Sequence, residues 1–376
     1  MSVKSYWESS SKTFDVVIIG AGFLGSWTAY ELSKDTNLSV AVIESSSLSH
    51  GASTKNAGFA CFGSATELLG DIGLLGKEKS LEITQKRLNG INKIRRILGD
   101  SAISFDNCGG YEIFLQNDLN PNESDIQELN GLLQSSLSMQ PFSFLTKQQI
   151  SALGFSHNVQ SVIANPLEGS INPVKTLETL HTLAKSQGVQ FFFRTQFRDF
   201  NAENGTISVV SDGVESAIFT KKVIYCTNAF TKQQDIAPGR GQVLITSVIE
   251  NLPLRGTFHY DEGYVYFRNV DSNEGRRILI GGGRNKDFTT EESLEFVSNP
   301  MIIEYLQQFL SKILPDEIFY TIEQSWTGIM GFSKDKLPIV KEVSANEFVG
   351  FACNGMGVAL TPIISEELVT LVKFSM

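Results

Sequence analysis

Cysteine is scarce in this chain. Cys61, Cys108, Cys226 and Cys353 are the four, and none is spaced as CxxC or CxxxxC. That excludes a dithiol redox motif and a disulfide framework, leaving buried or incidental thiols in a reducing compartment. The histidines His50, His157, His181 and His259 are scattered and unpaired with cysteines, so their spacing offers no zinc site and no metal is expected. No basic run with interleaved aromatics occurs, and the formal charge is −10. Such a balance excludes nucleic acid and anionic membrane surfaces as general partners. No apolar stretch approaches the roughly 20 residues of a membrane span. The opening MSVKSYWESSSKTF is polar and unlike a signal peptide, so a cytoplasmic location is expected. Internal repeats and low-complexity segments are missing as well. What remains is a chain of 376 residues, 41% hydrophobic, enough for a large core divided between two domains.

One stretch stands out: Asp15-Val16-Val17-Ile18-Ile19-Gly20-Ala21-Gly22-Phe23-Leu24-Gly25, with Glu44 further on. It reads as a buried strand, a glycine turn and a helix start, then a second strand (Val40, Val42, Ile43) ending in an acid. Gly20 allows the tight turn, Gly22 lets the backbone approach a pyrophosphate, and Gly25 lets helix and strand pack closely. The helix start offers free N–H groups and a positive dipole end to phosphates. Glu44, roughly 20 residues beyond the turn, is placed to accept hydrogen bonds from a ribose 2′-hydroxyl and would repel a 2′-phosphate. The combination is a dinucleotide-binding fingerprint.

Further along, Lys77 to Leu98 carries apolar residues at helical spacing (Leu81, Leu88, Ile91, Ile94, Ile97, Leu98). A glycine turn at Gly109-Gly110 enters a strand to Leu115, and a charged loop (Gln116–Ser124) leads to another helix. Glu168-Gly169-Ser170-Ile171-Asn172-Pro173 starts a helix over Val174–Gln187, with Gly188 at its end and a strand over Val189–Phe193. Asn204-Gly205 and Ser211-Asp212-Gly213 are hairpin turns. A buried strand is expected at Lys222–Ala229, a strand-rich region from Gly239 to Arg284, and a helix near Glu291–Leu314. The last section holds Trp326–Val340, a strand Phe348–Ala352, the turn Cys353–Gly357 and a closing helix ending near Phe374.

The fingerprint alone does not separate NAD from FAD. The small-residue loop Gly51–Gly58 directly follows the second strand, and Asn354-Gly355-Met356-Gly357-Val358 opens a helix at the far end of the chain. The positive end of that helix would stabilise negative charge on a reduced isoalloxazine. Together with Glu168–Pro173, Tyr225-Cys226-Thr227-Asn228-Ala229 and Trp326-Thr327-Gly328, these motifs identify a resemblance from Phe14 to Val372. The chain resembles the D-amino-acid oxidase superfamily of flavoenzymes, which includes glycine oxidase, sarcosine oxidase and gamma-glutamylputrescine oxidoreductase. Ser5-Tyr6-Trp7, Ser53–Gly58 and Trp326–Pro338 look most similar to the last of these.

The resemblance implies an α/β (α+β) two-domain fold: a Rossmann-like FAD-binding domain interleaved with an antiparallel-sheet substrate domain. The expected segments are 14–100, 151–236 and 322–376 for FAD, 101–150 and 237–321 for substrate, and 1–13 as an N-terminal extension. It also implies noncovalent FAD. Gly20, Gly22, Phe23, Leu24 and Gly25 would meet the pyrophosphate, and Glu44 and Ser45 the adenosine ribose. Ser53, Thr54, Lys55, Asn56, Ala57, Gly58 and Phe59 would follow the diphosphate, ribityl chain and isoalloxazine. Phe197 would contact the adenine through its backbone. Thr227, Asn228, Ala229 and Gly328 join the cofactor set, and Asn354, Gly355, Met356, Gly357 and Val358 would reach the pyrimidine end.

No second dinucleotide fingerprint appears: Gly281-Gly282-Gly283 opens no helix and Gly239-Arg240-Gly241 follows no strand. A flavin without a nicotinamide site is reduced by its own substrate. A C–H beside a neutral amine delivers hydride to flavin N5, and the imine is then hydrolysed, chemistry that needs orientation more than a catalytic base. Tyr264, Tyr266 and Trp326 are expected on the substrate side. Where glycine oxidase-like relatives carry a carboxylate-binding arginine this chain has Met330, and Arg268 and Arg284 are the candidate substitutes. Where the resemblance implies an oxygen-activating lysine it has Leu279, so an electron acceptor other than oxygen is open. The leading expectation is oxidation of the C–N bond of a small amine or N-substituted amino acid, by an oxidase or a dehydrogenase. A D-amino-acid or glycine-type oxidase with a relocated cation, and a flavin-binding subunit with little turnover, stand beside it.

Overall fold

The computed structural model describes residues 12–230, 236–351 and 354–375. Ser5, Tyr6, Trp7 and Cys353 lie outside them. Two eight-stranded sheets organise these residues. The first contains β1 (Lys12–Ile19), β2 (Val40–Ile43), β8 (Gln190–Phe192), β9 (Thr195–Asn201), β10 (Thr206–Ser211), β11 (Val214–Tyr225), β17 (Ile339–Ser344) and β18 (Glu347–Phe351). The second contains β4 (Gly110–Leu115), β5 (Ser143–Phe144), β6 (Val159–Asn165), β12 (Ile236–Thr246), β13 (Thr257–Tyr260), β14 (Val265–Ser272), β15 (Gly275–Gly282) and β16 (Ile322–Ser333). A short ribbon pairs β3 (Phe59–Ala60) with β7 (Gly169–Ser170).

In the first sheet β1 lies between β2 and β11, parallel to both. A strand covered on both faces reads as a continuous apolar run, which is why Val16, Val17 and Ile18 are wholly buried. Val16 and Ile18 face α1 (Phe23–Ser33) and the helical core, whereas Val17 and Ile19 face Ile207, Val209 and Val223. The helical layer includes α2 (Ala52–Lys55), α3 (Ala65–Leu75), α4 (Lys77–Leu98), α5 (Glu123–Leu137), α7 (Pro173–Ser186) and α10 (Gly357–Phe374). Asn172 caps α7 by accepting from Lys175 N, with Pro173 in the first turn where no donor is needed. Buried Lys93 of α4 reaches Glu31 of α1 at 2.7 Å and Glu366 of α10 at 2.6 Å, tying three helices together.

The second sheet alternates. Phe258, Phe267, Ile278 and Ile280 turn to α9 (Pro300–Ile313), packing on Ile302, Leu306, Phe309 and Leu310. The opposite face carries a row of cross-strand partners: Trp326, Val243, Gly281, Tyr266, His259 and Glu112. Directly paired residues share a face, so this row is a single surface. The short helices α6 (Lys147–Ala152) and α8 (Phe288–Glu291) lie against β6 and β12 of this sheet.

Several expectations need correction. The strand expected at Lys222–Ala229 is the end of β11 and stops at Tyr225, because the second hairpin strand runs straight on into the parallel sheet. The helix near Glu291–Leu314 is split into α8 and α9. Asn299 restarts it by accepting from Met301 N and Ile302 N, and Pro300, which lacks a donor, is tolerated only in a first turn. Gly283 leads into a 3-10 turn at Arg284–Lys286. The loop Gly51–Gly58 contains α2. Residues 159–165 and 322–333, expected in the FAD-binding segments, pair in the second sheet, and β1 begins at Lys12 within the expected extension.

Gly90 decides how closely α4 meets α10: a Cβ there would fall 1.7 Å from the Ala359 carbonyl oxygen. In an exposed helix Gly→Ala gains about 1 kcal/mol. Here we expect Gly90→Ala to destabilise instead, by about 1–3 kcal/mol of overpacking. Thermal unfolding would register a lower midpoint, and an unchanged or raised midpoint would mean that the helices separate freely.

Candidate active site

The fingerprint turn is held by contacts that exclude side chains. Gly20 has φ +104°, and a Cβ on it would lie 2.6 Å from the Cys226 carbonyl oxygen. A Cβ on Gly25 would lie 1.9 Å from the Gly20 carbonyl oxygen, so helix and strand end touch backbone to backbone. At Gly22 the nearest atom is Ser53 Oγ, 2.9 Å from the added Cβ. Gly22 is also the N-cap of α1 and has no side chain to close the first turn. Ser53 Oγ accepts from Phe23 N at 2.9 Å, which leaves the rest of that turn's donors for an anion. Glu44 Oε2 accepts from Ala21 N at 3.0 Å, and its other oxygen accepts from Ser46 N at 3.0 Å. Beneath the turn, His181 Nε2 lies 3.0 Å from the Ala21 carbonyl and 2.9 Å from Ser26 Oγ. Burial pushes the His181 pKa down, so it braces the turn as a neutral donor. Its sequence position, far from the fingerprint, gave no signal of this.

A cavity of about 500 Å³ opens beside the turn. Gly20, Gly22, Phe23, Leu24, Glu44, Ser45, Ser53 and Asn56 line it, with Phe197, Thr227, Asn228, Met330, Gly355, Gly357 and Val358. These come from β1, α1, β2, α2, β9, β11, β16 and α10 and the loops that join them. The walls also include His50, Gln196, Phe230, Phe296 and Thr361, which sequence reading missed. Phe230 and Phe296 stack at 6.1 Å although 66 positions separate them, so no local pattern could pair them.

Other expected site residues stand outside this wall. Gly25 lies beneath it. Thr54 Oγ1 donates to the Ser49 carbonyl at 2.6 Å, and the Lys55 carbonyl accepts from Trp326 Nε1 at 3.0 Å. Gly328 faces Lys55, whose Cβ would be 3.2 Å from an added one. Gly58, at φ +74°, is held by Asn56 Oδ1, which accepts from Gly58 N at 2.9 Å. Ala57 joins Val243 and Leu279 in a small apolar cluster with Phe59, Tyr266 and Trp326 around it. Asn228 accepts from Gly331 N and donates to the Ile329 carbonyl, and Asn354 accepts from Ser333 N, so both fasten β16 to the cavity edge. Ala229 follows Asn228 beside Gly331, and Met356 is the N-cap of α10.

That row of the second sheet faces α2. Glycines 239, 241, 281 and 328 keep it flat: a Cβ at Gly281 would meet the Tyr266 ring at 2.7 Å, and one at Gly241 the Met330 methyl at 3.1 Å. Burial pushes the Tyr266 phenol up to about 12, so it stays a neutral hydroxyl. Arg268 donates from Nη2 to the Ile171 carbonyl at 3.2 Å, beside Gly58, and its buried Nε has no partner. Arg284 lies with its guanidinium 4.0 Å from the Phe332 ring centre and 5.1 Å from that of Phe288. Its Nε too is buried and unpartnered. Burial pulls both guanidinium pKa values down. Cys61 lies in the interior beside Glu168 and His259, and burial followed by the Glu168 charge pushes its thiol well up.

A family model described as FAD dependent oxidoreductase, DAO, matches residues 15–371. The chain belongs to the DAO family of FAD-dependent oxidoreductases. A relative from Haemophilus influenzae, described as probable oxidoreductase OrdL, is 22% identical over 364 residues, covering 92% of this chain and 80% of its own. The hydrogen cyanide synthase subunit HcnC of Pseudomonas protegens is 23% identical, covering 96% and 94%. Among solved structures, glycine oxidase from Geobacillus kaustophilus aligns with a TM-score of 0.73 at 18% identity, covering 97% of this chain and 95% of that one. These structural likenesses establish the two-domain DAO fold. The DAO cofactor is FAD, and the side-chain-free turn, uncapped α1 terminus and buried Glu44 fit a dinucleotide. Among the described residues no helix is long and apolar enough to cross a membrane.

Removing the Glu44 carboxylate tests its place in the cofactor site. A hydrogen bond to a charged group contributes about 1.5–3 kcal/mol, so Glu44→Ala should weaken FAD binding about 10–100-fold. Flavin fluorescence titration of the deflavinated protein measures this, and unchanged affinity would remove Glu44 from the ribose site.

Proposed function

We propose that this protein oxidises the C–N bond of an amino acid or N-substituted amino acid, with noncovalent FAD lying between the fingerprint cavity and the glycine-flattened face of the second sheet. The first sheet and its helices would form the FAD-binding domain, and the second sheet, including 159–165 and 322–333, the substrate domain. Gly20–Gly25 and Ser53 would hold the pyrophosphate, Glu44 the adenosine ribose, and the Phe197 backbone the adenine. Residues 56–59 and 355–358 would meet the isoalloxazine. When bound, FAD supplies a two-electron acceptor for a C–H bond beside a neutral amine.

The chain's own residues would do the rest. Tyr266 offers an un-ionised hydroxyl as a hydrogen-bond donor, and Trp326 supplies a flat wall fixed through its indole to the Lys55 carbonyl. Met330 and the Phe230–Phe296 pair limit water at the cavity end. The observation that carries the reading is Arg284. It is a cation without a carboxylate partner, held by Phe332 and Phe288 beside Gly239, which pairs across the sheet with Met330. A guanidinium so placed suits a substrate carboxylate. Arg268 is better read as a positioning group, since it already holds the Ile171 carbonyl next to Gly58. Leu279, in the apolar cluster with Ala57, supports an electron acceptor other than oxygen.

Anaerobic mixing with amino acids, N-methyl amino acids and polyamines would identify the substrate class by bleaching of the flavin band. We expect a carboxylate-bearing amine to bleach it, and Arg284→Leu to raise its KM about 10–100-fold, the loss of one charge-assisted contact. Bleaching by polyamines alone, with Arg284→Leu unaltered, would defeat this assignment. Trichloroacetic acid should release all yellow colour into the supernatant, and a coloured pellet would mean a covalent flavin.

A further inference from the structure

The row that carries Tyr266 continues to His259, and there two side chains from distant parts of the chain converge. His259 Nε2 lies 3.0 Å from Glu168 Oε2, and with Cys61 Sγ the donor atoms all fall within 4.8 Å of one another. The group is interior: Cys61 is 7%, Glu168 1% and His259 5% exposed. The second carboxylate oxygen, Glu168 Oε1, is buried with no hydrogen-bond partner. An unpaired buried carboxylate oxygen is costly and calls for a cation or a bound donor. Space for this carboxylate is built into the sheet, because a Cβ on Gly110 would lie 2.1 Å from Glu168 Oε2.

The surrounding charges do not supply the missing cation. Glu112, paired across the sheet with His259, brings a second buried carboxylate whose acceptors are taken up by Ser64 and Thr66. Arg87 engages Glu67, Asp71 and the Phe62 carbonyl through Nη1 and Nη2. We propose that Cys61, Glu168 and His259 bind a zinc ion. One sulfur, one imidazole nitrogen and one carboxylate oxygen form a borderline-soft donor set suited to zinc, and a water would fill the fourth tetrahedral position. Binding replaces protons with metal: the Cys61 thiol loses its proton to solvent and His259 ligates as neutral imidazole. The ion would tie β3 and the segment before β7 to β13. Phe59 stacks edge-on against both His259 at 5.3 Å and Tyr266 at 5.8 Å, so the tie would stiffen the wall that carries Tyr266.

The test is metal content of the full-length, FAD-loaded protein after equilibration with zinc chloride and gel filtration. We expect about one zinc per chain, tetrahedrally bound, in the wild type and in the control Cys108→Ser, with at least a roughly tenfold loss in Cys61→Ser and His259→Gln. X-ray absorption of the wild type alone should show one sulfur at about 2.3 Å, which keeps the test decisive if a variant fails to fold. A wild type without zinc after equilibration would overturn the proposal, leaving a histidine–glutamate ion pair beside a thiol. So would zinc without a sulfur neighbour, or full zinc retained in folded Cys61→Ser.

Discussion

The contact between Gly25 and the Gly20 carbonyl is the constraint on which the site depends. A single methyl group at Gly25 would sit 1.9 Å from that oxygen, so α1 can leave the end of β1 at this point only with glycine at both places. Gly20 in turn needs a left-handed backbone and a free approach to the Cys226 carbonyl at the end of β11. Three elements thus meet within one turn. Their junction sets where the uncapped helix terminus opens onto the cavity, and His181, Ser26 and Glu44 hold it from below and behind.

The second sheet answers with the opposite device. Where the first sheet is packed tightly around a glycine turn, the second carries glycines where neighbouring side chains lie flat against it. Gly239, Gly241, Gly281 and Gly328 fall on the same face as Trp326, Tyr266 and Met330 because the register pairs them across β12, β14, β15 and β16. Arg268 and Arg284 each keep a buried Nε without a partner, in contrast to Arg240 on the other face, which is fully engaged by Glu291.

Legibility followed the range of the interactions. The fingerprint, the helix from Lys77 to Leu98 and the cap Asn172-Pro173 are local patterns, and the structure has them at or within a residue of the expected bounds. The helix expected near Glu291–Leu314 is present only from Pro300, because Asn299-Pro300 sets its first turn. The long strand β11 pairs with β10 over its first half and with β1 over its second, a continuity that no local pattern marks. Cys61 and His259 illustrate the other limit: read along the chain they are unpaired, and only the pairing of β13 with β4 and of β3 with β7 brings them together through Glu168.

By itself the sequence determined the nucleotide cradle and the family, since strand, glycine turn, helix and acid act within some thirty residues and each has a steric or electrostatic reason visible locally. It also determined that no second cradle follows. The tertiary structure alone decided which distant side chains meet: that Met330 sits in the cavity wall, that Arg284 lies over Phe332, and that a thiol, a carboxylate and an imidazole share one interior point. Those outcomes rest on strand register and sheet order. A shift of one residue in the pairing of β16 or of β13 would turn Met330 or His259 to the other face.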